Sequence, residues 1–150
     1  MKPINHSAPT NIDQRYRILL VLWFAMLSAV GHYFVVAQFT QPTEVDSSQN
    51  NILPIILLGL GVFMVVMSFV VKQRLLAQSV ERQEIGLVQT GLIVALVMCE
   101  TSAILGLVDL FTTGHRHYFI LMIIGALGIL AHFPRRDHLL AATYKNRLDT

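Results

Sequence analysis

The chain has 150 residues, 54% hydrophobic and only 13% charged, with a mean hydropathy of +0.58. So little charge cannot cover a soluble domain, and eleven Lys and Arg against nine Asp and Glu leave +2, too weak a basic field for a nucleic-acid partner. One cysteine, Cys99, excludes an internal disulfide and a zinc site built on several thiolates.

Residues 1–14, with Pro3, Asn5, Ser7, Pro9, Thr10 and Asn11, carry no apolar period and read as a mobile tail. The first apolar run, Ile18 to Phe39, is broken only by Ser28, Gly31, His32 and Gln38. It meets the about 20 helical residues that a bilayer core requires. Too long for the core of a signal peptide, it is expected to remain in the mature protein. A polar loop, 40–51, leads to the second run, Ile52 to Val71, which has no charge and places Pro54 in its first turn, where proline costs a helix least. Leu75 to Glu84 contains no breaker, so a span is free to continue there as helix beyond the headgroups. The third run, residues 86–108, contains Glu100. The fourth, residues 117–133, has only 16 apolar-run positions from Tyr118 to Phe133 and must recruit its flanks or thin the bilayer.

Lys2, Arg15 and Arg17 precede the first span; Lys72, Arg74 and Arg82 lie between the second and third; Arg135, Arg136, Lys145 and Arg147 follow the fourth. Positive residues are retained inside, so both termini are expected in the cytoplasm, with 135–150 as a C-terminal tail. The fold class is therefore all-α, an integral membrane four-helix bundle, and the expected location is the bacterial inner membrane. Placing Met26 on Met98 sets Ser28 on Glu100 and the Gly59 region against the Gly125 region, the pattern of a duplicated helical hairpin.

Glu100 is the most informative residue, 15 positions into a span of 23. A charge at that depth costs at least about 2.5 kcal/mol. Apolar surroundings favour a neutral acid, which suits a group that takes up and releases a proton; the other reading is a hydrogen-bonded carboxyl that holds helices together. Thr101 and Ser102, beside it, are candidate ion ligands. Sodium needs several oxygen donors, and the second run offers only Ser68 as a polar side chain, so the proton is the better fit. His32 is expected at a depth similar to that of Glu100, where it either pairs with the carboxyl or bonds a backbone carbonyl. No second histidine matches that depth, so no haem is expected. His115, Arg116 and His117 form a basic outer cluster beside Asp109 that reads as a solvated loop, not a metal site. No nucleophile–base pair or phosphate-binding glycine loop is visible, so no enzymatic activity and no cofactor are expected.

The stretch MCETSAILGLVDLF, around Glu100, resembles the carboxylate-bearing outer helix of the rotary ATPase proteolipid, the c subunit. The same order of features lies upstream: a helix with Gly59 and Gly61, a polar loop with Arg82-Gln83-Glu84, then the carboxylate. The resemblance covers residues 52 to 111. It implies an ion-binding carboxyl at Glu100, proton transport, and partners that are other membrane subunits or further copies of the chain. The alternative is an accessory or assembly subunit of a respiratory or other membrane complex, with Glu100 structural.

Overall fold

The computed structural model describes residues 12–40, 52–114 and 118–144, and all regular structure among them is helical. Helix α1 is Ile12–Phe39, α2 Ile52–Arg82, α3 Ile85–Thr113, α4 Tyr118–Ala131 and α5 Arg136–Tyr144. Three helices, α1 to α3, are long and apolar enough to cross a membrane. Residues 1–11, the loop 41–51, the cluster His115 to His117 and residues 145–150 lie outside the described residues.

Two boundaries differ from expectation. Helix α1 starts at Ile12, inside the expected tail, because Asp13 suits the positive end of the helix dipole and Oδ1 accepts from Arg136 at 2.6 Å. The expected C-terminal tail contains α5, which docks by burying Leu139 and Ala142. The continuation of α2 past Val71 is present, since the helix runs to Arg82. It ends in a two-residue turn: Gln83 takes a left-handed φ of 56° and the Glu84 N–H returns to the Ser79 carbonyl, the hydrogen bond of a Schellman cap.

Helix α3 is the centre of the bundle. It buries eleven residues where α1 buries three, and it touches all four other helices. Helices α1 and α2 make no close backbone approach to each other. The duplicated hairpin therefore has no counterpart in the packing: α3 and α4 form a close pair, whereas α3 and α4 keep α1 and α2 apart. Small residues set that closeness. A Cβ at Gly125 would stand 2.7 Å from the Cys99 carbonyl oxygen, and one at Gly128 2.7 Å from the Cys99 Sγ.

The fourth apolar stretch forms one short helix, α4, and a second helix follows in the expected tail. Helix α4 has 14 residues, about 21 Å of rise, short of the roughly 30 Å hydrocarbon core. The chain then breaks over His132 to Arg135 and resumes in α5 at a bend of 53°. Pro134 enforces the break, because it lacks an N–H and disfavours helical geometry in Phe133 before it.

The glycine contacts give a paired test by thermal unfolding in detergent. Gly125→Val should destabilise the protein by roughly 1–3 kcal/mol through overpacking against backbone. Gly59→Val, with nothing within 4 Å of the new Cβ, should change stability by less than about 0.5 kcal/mol.

Candidate functional site

Adjacent positions on a helix point about 100° apart, and α3 uses this to feed two separate polar sites. Glu100 faces α1, where its Oε1 accepts a hydrogen bond from the Tyr33 hydroxyl at 2.8 Å. The residue is half-buried. Tyr33 belongs to a heptad stripe on α1, Leu19, Trp23, Met26, Val30, Tyr33 and Ala37, whose members pack into the core clusters. The stripe decides which polar group reaches α3.

His32 falls off that stripe. It is exposed, and its Nδ1 lies 2.7 Å from the Ser28 carbonyl oxygen on its own helix. Of the two expectations for His32, the backbone contact is the one present, and the phenol of the next residue occupies the place beside Glu100. The candidate ligands Thr101 and Ser102 also diverge from the carboxyl. Thr101 is not buried and donates to the Val97 carbonyl at 2.8 Å. Ser102 is fully buried beneath Gly61, its Oγ without a hydrogen-bond partner. These three side chains do not converge on a shared point, so among the described residues Glu100 has one hydroxyl donor and no cage of oxygens.

Cys99 faces the opposite seam, toward α2 and the end of α4. There Ser68 Oγ donates to the Val65 carbonyl at 2.6 Å and lies 3.4 Å from Cys99 Sγ and 3.2 Å from His132 Nε2. All three residues have zero exposure. With the Ser68 proton on Val65, the hydroxyl oxygen is left to accept from the imidazole N–H, and His132 Nδ1 is buried with no hydrogen-bond partner among the described residues. The ring stands edge-on to Phe69 at 4.3 Å. The sequence reading does not find this cluster. Its signal is that Ser68 and His132 are each the isolated polar side chain of an otherwise apolar segment, and isolated polar groups in a bilayer seek one another.

The α4 break is sealed from α1. Trp23 Nε1 donates to the Ile129 carbonyl at 2.7 Å, and the His132 N–H closes on the Gly128 and Ile129 carbonyls at 3.1 Å. The indole also meets Phe133 edge-on at 5.2 Å. These bonds satisfy acceptors that hydrocarbon cannot.

Comparison with family models, curated proteins and solved structures finds no match to this chain.

Trp23 is the single tryptophan, so its fluorescence reports directly on the seal. Trp23→Phe keeps an aromatic ring but removes the N–H, leaving the Ile129 carbonyl only the bond it shares with Gly128 from the His132 N–H. The variant should lose about 1–3 kcal/mol of stability in detergent, read by circular dichroism, and amides of residues 129–133 should exchange faster.

Proposed function

We propose that the chain is a small, non-enzymatic subunit of a larger membrane assembly, spanning the bilayer four times with both termini cytoplasmic, and that Glu100 holds and releases a proton within the membrane. The observation that carries this reading is the bond from Tyr33: the carboxyl has one neutral donor and, among the described residues, no salt-bridge partner. A carboxylate so poorly compensated in apolar surroundings is costly, which suits a group that takes up a proton. The divergence of Thr101 and Ser102 favours a proton over sodium, because sodium would need those oxygens. The resemblance of the Glu100 segment to rotary ATPase proteolipids points to the same chemistry.

A second reading has its own support. Helix α1 buries only three residues, and its polar ties, Arg15 to Gln89 at 3.0 Å, Trp23 to Ile129 and Tyr33 to Glu100, hold it in place. In that reading Glu100 is a fastening and the chain is an accessory subunit.

Glu100→Gln separates the two. Gln still accepts from Tyr33, so the bundle should stay assembled with its co-purifying partners. Under the proton reading, a hydrophobic carbodiimide should label the natural chain at Glu100, faster as pH falls, and the Gln variant should abolish the partner complex's activity. A Gln-containing complex that assembles and works at the normal rate would assign Glu100 to fastening alone. Reporter fusions after Asn50 and Thr113 should lie outside, and those after Gln78 and Thr150 inside.

A further inference from the structure

Where α4 stops, its continuation would have run over α3 between α1 and α2. The bend into α5 leaves a shallow recess there, open to the surroundings, with Arg135 on its exposed rim. Its apolar walls include Leu19 of α1, Leu92 of α3 and Phe133 of the break, and its polar lining is Lys72 of α2, Arg135 of the break and His138 of α5. No carboxylate lines it. The ion pair at this end of the bundle, Arg136 with Asp13, uses the neighbouring arginine, and neither Lys72 nor Arg135 has a salt bridge among the described residues. Burial, and after it the charges of Lys72 and Arg135 against the opposing pull of Asp137, hold the His138 imidazole below its ordinary value. Two cations share a recess that no carboxylate lines, with Asp137 beside it.

The level of the recess identifies what fits. Lys72 is the first charge after the uncharged run Ile52 to Val71, and Arg135 follows Phe133 by two positions, so the cations stand where hydrocarbon gives way to headgroups. Ile18, Val70 and Phe133 are exposed apolar side chains near that level. A phosphate bearing acyl chains satisfies both halves of the site: oxyanion on the cations, hydrocarbon along the apolar flank. We propose that this recess binds the phosphate headgroup of an anionic phospholipid from the leaflet at the cation-bearing end of the bundle. The site uses none of the groups around Glu100 and stands apart from the proton reading.

The test uses the full chain in an uncharged detergent with phosphatidylglycerol or phosphatidylcholine added, bound lipid being counted by native mass spectrometry. The natural chain should retain phosphatidylglycerol at least about fivefold over phosphatidylcholine, and the His138 titration should move up when it binds. The double variant Lys72→Gln, Arg135→Gln should lose the preference, while Arg74→Gln, on the exposed face of α2, should keep it. Trp23 fluorescence verifies folding, and Lys72→Arg, which retains the charge, should restore binding when paired with natural Arg135. Equal retention of the two lipids, or a preference that survives the double variant, overturns the proposal. Displacement of the lipid by millimolar inorganic phosphate would assign the site to free phosphate and overturn the lipid source.

Discussion

The structure turns on one constraint: α4 has only 14 residues, and the carbonyls of its last turn must find donors that a continuing helix would have supplied. Trp23 from α1 and the backbone N–H groups of His132 and Phe133 supply donors to the Gly128, Ile129 and Leu130 carbonyls. Both the docking of α1 and the turn at Phe133-Pro134 follow from it. The bend then opens the recess at Lys72 and Arg135, and it brings the His132 ring to Ser68 and Cys99. Removing the break would therefore rearrange several parts of the molecule together.

The two polar sites depend on α3 being central. One helix presents Cys99 to α2 and α4 and Glu100 to α1, so neighbouring positions serve different seams, and neither site draws on the other. Glu100 faces the less tightly packed seam, where a change in the approach of α1 alters its surroundings directly. The Ser68, Cys99 and His132 group is enclosed by close glycine packing and serves to fix the register of three helices.

The apolar runs made the helices legible, down to Pro54 in the first turn of α2 and the continuation of α2 past the membrane segment. The shortness of the fourth run was also visible. Its close as α4, followed by a break and then α5, was not, because a one-dimensional run of apolar residues does not say whether a proline at its end stops a span or bends it. The prominence of Glu100 could be read, but its partner could not be fixed at equal depth alone. Rotation decides that, and the heptad stripe ending at Tyr33 and Ala37 contained the rotation. Ser68 stands out as the lone polar side chain of its run, but its meeting with His132 is not legible, because a partner on another helix is fixed only by the packing.

The absence of a close backbone approach between α1 and α2 also bears on biosynthesis. Synthesis delivers α1 first and α2 second, yet neither can bury its inward face on the other. Both must wait in the lipid, or with the insertion machinery, until α3 emerges. Because a two-residue turn ties α3 to α2, those two helices can close on each other as soon as both are made; α1 is recruited afterwards, and its indole reaches its acceptor only when α4 has been completed. The order of assembly is thus not the order of translation, and the first helix made is among the last to be secured.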